Sequence, residues 1–493
     1  MPFLKVEELL EKEDRISLQI IRKLLLAGGR LSAEVLPEML GITAKSTQKY
    51  LAQLQTPQAH FRLRLQQQVI FEADADFSLE GYTYELIRGS LKYRLLDQLF
   101  RKSHWSIQAL CIELSASEST VYRKIKELNR SLEEFELEIK QGMITGPELQ
   151  IRYFYFQFYW FILPYEEHRR QQRVFAKTDL FPMIEKNLQL SFSEHERLRV
   201  NLWLKISKKR YRQGDQYPHG QMRPYLNDPL YLQLKRFFFR FLSRYSVSLD
   251  ENEVKLQYIF LRALSVVTPA DHARLFLQSE GPIEQLNQRM LAELQLFFQP
   301  QELPESERLK TSYYLSQAHS MLYFFKGDFE IFDEENIWQK EKSLSTRELA
   351  KHAHYMRQVA TRMLGERQDS LVQLTEIKYL SCLSLIEVKM AQKIQGGLDL
   401  QMEPLFAEAY SEILKLSLQH LNGLVLTQYD PHQTYDLVLS NVSGAEKERY
   451  LLSEIGSEYD LSQIKKKIQQ LVELRQHSVK KSADLEKGDR TFQ

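Results

Sequence analysis

Apolar residues recur at three- and four-residue intervals through most of this 493-residue chain, the spacing of amphipathic helices. Two stretches carry that spacing in one arrangement, 74 residues apart. Ser32 falls on Ser106, Leu36 on Leu110, Leu40 on Leu114, Thr43 on Ser117, Leu51 on Ile125 and Leu54 on Leu128. A repeat that keeps caps, core positions and turn in step predicts two copies of one helix-turn-helix. In the second copy Ser106 is expected to cap a helix with Ile107, Leu110, Cys111 and Leu114 inward. Ser115-Ala116-Ser117 makes the turn and Ser117 caps the next helix. Glu118 then sits in its first turn, where negative charge suits the helix dipole. Val121, Ile125 and Leu128 point inward. The first copy differs at Pro37, which removes a backbone donor inside the leading helix and predicts a short or kinked one.

After each copy the period changes from helical to alternating. Phe135 to Lys140 reads as a strand, Gln141-Gly142 as a turn and Met143 to Thr145 as the returning strand; Phe61 to Leu65 and Gln68 to Phe71 do the same for the first copy. A helix-turn-helix with such a wing is a unit that places its second helix in the DNA major groove. The outward positions of the second copy are Ser119, Thr120, Tyr122, Arg123, Lys126 and Arg130, with Lys140 near the wing tip. The first copy offers Lys45, Ser46 and Lys49, with Arg62 and Arg64 on one face of its wing. Arginine reaches guanine with two hydrogen bonds, and Ser, Thr and Lys hold phosphates. Arg123, Lys124, Lys126 and Arg130 outnumber Lys45 and Lys49, so the second copy is expected to supply more affinity. The competing reading is that one or both copies are helical hairpins used for protein contacts.

Eight of the nine residues from Tyr153 to Phe161 are aromatic. That is too many for one helix face, so the helix should be covered on most sides. A stacking platform for single-stranded nucleic acid is the alternative, weakened by the lack of Lys or Arg inside the run. The apolar stretch Tyr153 to Leu163 is 11 residues, too short to span a bilayer. From about residue 166 to 395 the pattern stays helical, and the break at Gly281-Pro282 divides it into two similar parts. Lys208-Lys-Arg-Tyr-Arg212 reads as a solvated helix end rather than a second nucleic-acid patch. Beyond, Pro404 to Leu421 reads as a helix, Leu424 to Thr427 and Tyr435 to Ser440 as short buried strands, and Asp460 to Leu474 as a helix. That alternation suits a small α/β unit.

With 18 Gly and 15 Pro, composition agrees with a mainly α chain. A net charge of +1 does not exclude DNA binding, because only the docking face must be basic. Cys111 and Cys382 make neither a disulfide framework nor a zinc site and fit a reducing cytosol. Met1-Pro-Phe-Leu-Lys-Val-Glu-Glu8 has no apolar leader core, so a cytoplasmic location without membrane attachment is expected. His195-Glu-Arg-Leu-Arg199 puts an arginine where a zinc protease needs its second histidine, and His352 and His354 face different ways on a helix. Gly-x-Ser-x-Gly, Walker A and Gly-x-Gly-x-x-Gly motifs are missing. No catalytic residue, metal ligand or cofactor is expected, and the chain is not expected to be an enzyme.

The run Ser117-x-Ser-Thr-Val-Tyr-Arg-Lys-Ile-Lys126, with Ile144-Thr-Gly-Pro-Glu-Leu-Gln-Ile-Arg-Tyr-Phe-Tyr-Phe-Gln-Phe-Tyr-Trp160 behind the wing, resembles the Mga/AtxA regulators of Gram-positive pathogens. Length and order are most similar to the streptococcal, pneumococcal Mga branch. The motif-level resemblance covers roughly residues 10 to 165. It implies winged helix-turn-helix domains at 1–80 and 81–165, PRD-like helical bundles at 166–285 and 286–398, and an enzyme IIB-like α/β domain at 399–493. It also implies a self-associating transcription regulator, an activator of virulence-associated genes, that acts on double-stranded DNA. Phosphocarrier proteins of the sugar phosphotransferase system are then expected partners, with His195, His272 and His319 as candidate phosphorylation sites. An enzyme IIB of the cysteine type needs a nucleophile that no residue after Cys382 supplies, so that domain is expected to serve as a contact surface. Two other readings stay open: an RNA-binding antiterminator, and a phosphotransferase-system component.

Overall fold

The computed structural model describes residues 4–55, 60–175, 180–214, 216–243, 250–276, 278–299, 302–330, 347–367, 369–390, 394–418, 424–443, 449–453, 457–468 and 470–471. The chain is mainly helical. It forms two compact bodies, one of Met1–Gln288 with Ser312–Tyr379 and one of Arg289–Thr311 with Leu380–Gln493.

In the first body, strand β1 (Leu4–Lys5) and a 3-10 turn (Val6–Leu9) lead into helix α1 (Lys12–Leu26). Strand β2 (Arg30–Ser32), α2 (Leu36–Leu40), α3 (Ala44–Gln55), β3 (Phe61–Leu65) and β4 (Gln68–Ala73) complete a winged domain. Its antiparallel sheet has the order β2-β4-β3. Ile16, Ile20 and Leu24 of α1 pack with Leu36, Tyr50, Leu51 and Leu54, and with Phe61 and Val69 of the wing. Ser32 does not cap a helix as its alignment with Ser106 suggests; it lies in β2, and its hydroxyl accepts from Glu34 N at 3.3 Å. The cause is local. Gly28 and Gly29 both take positive φ and turn the chain into an extended segment. The helix then waits for Pro37, whose missing donor is harmless only in a first turn. The result is a five-residue α2.

The second winged domain follows with α4 (Leu79–Gly89), α5 (Leu91–Arg101), α6 (Ile107–Leu114), α7 (Glu118–Leu132), strands β5 (Glu138–Lys140) and β6 (Met143–Thr145), and α8 (Glu148–Ile162). Phe135 is not part of the wing strand. It ends a 3-10 turn (Glu133–Phe135), and Glu136 takes φ 57° before β5 begins. Phe135 has no exposed surface and packs on Tyr153, Phe154 and Phe329, so core burial overrides the alternating pattern.

Every residue of α8 from Glu148 to Tyr159 is buried. Rings that form the core cannot stack on bases, which removes the single-strand platform. The same helix buries ions in balanced pairs. Arg152 binds Glu148 (2.8 Å) and both carboxylate oxygens of Glu253 (2.6 Å), and Arg210 binds Glu148 (2.6 Å). Such pairing is what a charged side chain needs in an interior. It also revises the basic run 208–212: Lys208 and Lys209 are exposed, but Arg210 belongs to the core.

Helices α9 (Tyr165–Phe175), α10 (Leu180–Leu188), α11 (Glu194–Arg210), α12 (His219–Met222), α13 (Pro229–Ser243), α14 (Glu251–Ala263), α15 (Pro269–Leu275), α16 (Pro282–Phe298) and α17 (Glu305–Phe324) continue the chain. Strand β7 (Phe329–Glu330) then pairs in parallel with β1, and α18 (Arg347–Leu364) and α19 (Ser370–Met390) follow.

In the second body, β8 (Ile394–Asp399), α20 (Pro404–Leu418), β9 (Leu424–Gln428), β10 (Leu437–Ser440), β11 (Arg449–Leu451) and a helix over 458–468, α21, form a small α/β unit. Its sheet is parallel with the order β11-β10-β8-β9. Strand β8 is absent from the sequence reading and starts before residue 399. Gln395, Gly396 and Gly397 weaken its strand signal. A Cβ on Gly396 would lie 2.5 Å from Leu426 Cδ2, so the glycine lets that side chain pack close over the strand. The third strand begins at Leu437, not Tyr435. The last residues of the two expected helices, 419–421 and 472–474, lie outside the described residues. No helix among the described residues is long and apolar enough to cross a membrane.

Candidate DNA-binding surface

The helix-turn-helix of the second winged domain carries the caps its sequence predicts. Ser106 caps α6 by accepting from Ala109 N (3.2 Å), and Ser117 caps α7 by accepting from Thr120 N (3.3 Å). Ser115 closes α6 in the left-handed region, φ 53°. Val121 and Leu128 are buried while Ile125 is half-buried, which fixes the rotation of α7. Its outer face presents Ser119, Tyr122, Arg123, Lys126 and Arg130, with Thr120 half-buried beside them. The hydroxyls of Ser119 and Thr120 lie 3.1 and 2.9 Å from that of Ser117, so the polar end of the helix is ordered before any ligand arrives. Arg123, Lys126 and Arg130 have no ion-pair partner among the described residues.

Lys124 does not belong to that face. It is 8% exposed and its Nζ lies 2.9 Å from Glu11 and 3.3 Å from Glu127. The helical turn puts residue 124 on the side of Val121 and Leu128, toward the core. Burial pushes the Glu127 carboxyl up, but hydrogen bonds and charge from Lys92 and Lys124 outweigh it and hold the group below its ordinary range.

The wing is pinned to the recognition helix by a residue the sequence reading missed. Asn129 accepts from Ile139 N (2.7 Å) and donates to Ile139 O (3.1 Å). The β5–β6 turn is Gln141 (φ 50°) and Gly142 (φ 71°), and a Cβ on Gly142 would sit 1.7 Å from the Trp105 carbonyl oxygen. Lys140 stands exposed at this turn. Asn129 was not legible because a wing contact depends on the strand's position, which spacing along α7 does not encode.

In the first winged domain Thr43 fills the role of Ser117, accepting from Ser46 N at 3.3 Å, and the Ser46 hydroxyl turns back to Thr43 (3.0 Å). Lys45 and Arg62 are exposed. Lys49 is paired with Glu13 (2.7 Å) and Arg64 with Glu72 (2.9 Å). The Glu13 hydrogen bond and charge raise the Lys49 ammonium above its usual range. Two of the four candidate cations of this domain, Lys49 and Arg64, are therefore already held by carboxylates.

The three candidate histidines differ in access. His195 is exposed on α11, its ring edge-on to Trp160 (5.0 Å). Partial burial, and then Arg199 one turn along, push its pKa down. His272 is buried against Phe276 (4.7 Å) and Tyr313 (5.3 Å), and its Nε2 has no hydrogen-bond partner. Burial, with Arg262 second, pushes it down to about 3. His319 has no exposed surface; its ring nitrogens meet the Asn287 side chain and the Tyr379 hydroxyl (2.6 Å), and burial pushes it down to about 3. His354, set aside in the sequence reading, is exposed with Nδ1 3.3 Å from Glu376 and Nε2 3.1 Å from Gln358. Its carboxylate comes from another helix, which sequence spacing does not reveal. Among the described residues no group of His, Cys, Asp and Glu is placed to hold a metal ion.

Residues 75–159 match the family described as the Mga helix-turn-helix domain, a span that runs from just before α4 to the end of the aromatic run in α8. No curated protein matches the chain.

Proposed function

We propose that this chain, whose residues 75–159 match the Mga helix-turn-helix domain, is a DNA-binding transcriptional regulator of the Mga/AtxA-like kind that activates virulence-associated promoters through α7. The observation that carries the DNA contact is the exposed stripe of Tyr122, Arg123, Lys126 and Arg130 on a helix capped by Ser117 and flanked by the wing lysine, Lys140. A helix of this kind enters the major groove with three or four side chains at base edges while the wing follows the backbone. The first winged domain, with Lys49 and Arg64 held by carboxylates, adds phosphate contacts through Lys45 and Arg62. A gel shift with duplex DNA and hairpin RNA of equal length tests this. Preference for the hairpin overturns it in favour of an antiterminator.

We further propose control by histidine phosphorylation and assembly of a dimer or higher oligomer in the cytoplasm. A phosphoryl group on His195 adds charge beside Arg199 and Arg197, which favours ordering there. At His319 the same charge enters a dry helix interface and loosens it. Opposite signs are expected for His195→Asp and His319→Asp in a promoter reporter at matched protein levels, with His272→Asp and the three alanine variants alongside. Equal output from all six variants removes histidine control. A phosphocarrier protein is the partner implied, and His195 is the acceptor it reaches without unpacking a helix.

A further inference from the structure

The first turn of α1 holds both recognition helices. Glu11, at its entry, reaches Lys124 of α7 at 2.9 Å. Glu13, two residues on, reaches Lys49 of α3 at 2.7 Å. The same segment makes two more bonds to the second winged domain: Lys92 donates to Glu8 O (2.7 Å), and Ser131 of α7 donates to the Glu8 carboxylate (3.4 Å). Glu127 joins the set by binding Lys92 (3.1 Å) as well as Lys124. Meanwhile α1 is part of the core of the first winged domain, through Ile16, Ile20 and Leu24.

A lysine in the middle of a recognition helix would ordinarily join its neighbours on the phosphates. Lys124 instead has a side chain only 10% exposed and is engaged by carboxylates. Turning α7 relative to α1 would break the bonds of Glu8 and Glu11 together. Moving α3 would break that of Glu13. The two winged domains are thus joined by a short acidic bar, not merely by the chain between them.

We propose that Glu11, acting through Lys124, is a specificity-setting positioning residue: it fixes the separation and helical phase at which the two recognition helices meet one DNA duplex. This rests on the DNA-binding reading above. A rigid pair of readers binds two segments well at one spacing and poorly when half a helical turn, about 5 bp, is inserted, because the second segment then faces away. A loose pair tolerates the insertion.

The test uses the full chain. Duplexes are selected from a random 45-bp pool, the protected segments are mapped, and the best duplex is remade with 5 bp inserted between them. Wild type should lose at least about tenfold in affinity with the insertion, equivalent to about 1.4 kcal/mol. Glu11→Gln should bring the ratio of the two affinities close to one, and Lys124→Met should do the same. Glu38→Gln, which removes an exposed carboxylate of the same domain, should leave the ratio as in wild type, so a general change in charge is not the cause. If no duplex is enriched, the DNA-binding reading falls and the spacing role with it. If duplexes are enriched but wild type protects a single segment, tolerates the insertion, or keeps its ratio after Glu11→Gln, DNA binding stands and the positioning role is overturned.

Discussion

Lys124 and Arg123 are adjacent on α7, yet Arg123 faces solvent and Lys124 turns inward to Glu11, 2.9 Å away. Consecutive helical residues are about 100° apart, so a run of basic residues is never a basic face by itself. Here the core positions Val121 and Leu128 decide which cation is free.

Arg123 and Lys126 are therefore expected to supply most of the DNA affinity. Arg123→Ala should cost about 1–3 kcal/mol if it reads a base. Each lost phosphate contact should lower the slope of log affinity against log salt by about 0.9. Filter binding of wild type, the Arg123→Ala/Lys126→Ala double variant and Lys45→Ala over a salt series checks this. Equal affinity of wild type and the double variant at matched salt sinks it.

The elements whose local rules agree were legible in the sequence. The caps Ser106 and Ser117, the inward Leu110, Leu114, Val121 and Leu128, the first wing hairpin and the turn and returning strand of the second are where the pattern puts them. The misses have one physical origin, interactions between distant parts of the chain. Phe135 leaves the wing because Tyr153, Phe154 and Phe329 bury it. Strand β8 forms despite two glycines because β9 and β10 supply hydrogen bonds on both sides. Arg210 and Lys124 look like surface cations until Glu148 and Glu11 are in place. Of the site, the outward stripe of α7 was readable, whereas Asn129 and the ion pairs that withdraw Lys49 and Arg64 were not.

The wing turn gives a second expectation. Gly142 combines φ 71° with a close approach to Trp105 O. Left-handed backbone alone costs an L-residue about 1–2 kcal/mol, and the clash adds displacement of the segment that leads into α6. Gly142→Ala should lower the thermal midpoint and weaken DNA binding together. Gly89→Ala, in α4 with open space around its Cβ, should not. Unchanged melting of Gly142→Ala would show that the turn relaxes freely.

Self-association is expected to involve α20. Leu405 (68% exposed), Phe406, Ile413 and Leu416 (61%) share one face of that helix, since their spacing keeps them within about a third of the helical circle. A second copy presenting the same face would cover it by twofold symmetry. Leu405→Glu/Leu416→Glu should yield a monomer by light scattering at concentrations where wild type is larger. An unchanged mass for the double variant locates the contact elsewhere.

The buried histidines set an acid limit on stability, and its sign can be worked out. Folding holds His272 and His319 near 3, far below the ordinary 6.5. A depressed histidine contributes stability that is fully present above its unfolded value and drains away as pH falls below about 6.5. Lowering pH from 7.5 to 5.5 should cost on the order of 1.4 kcal/mol for each. Asp328 works the other way. Burial first raises its carboxyl to about 6, with Lys378 and the Gln157 hydrogen bond opposing. Its contribution therefore increases as pH falls from 7.5, by somewhat under about 1 kcal/mol at pH 5.5. Two histidines outweigh one aspartate, so the wild type should lose stability over this range. His272→Phe isolates one histidine, because the ring already packs on Phe276 and Tyr313 and its Nε2 bonds to nothing. Denaturant unfolding of both proteins at pH 7.5, 6.5 and 5.5 should show the variant's stability, relative to wild type, rising as the pH falls, by about 1.4 kcal/mol between the extremes. Asp328 is common to both and cancels. A difference independent of pH would mean that the pocket around His272 opens or hydrates enough to accept the proton.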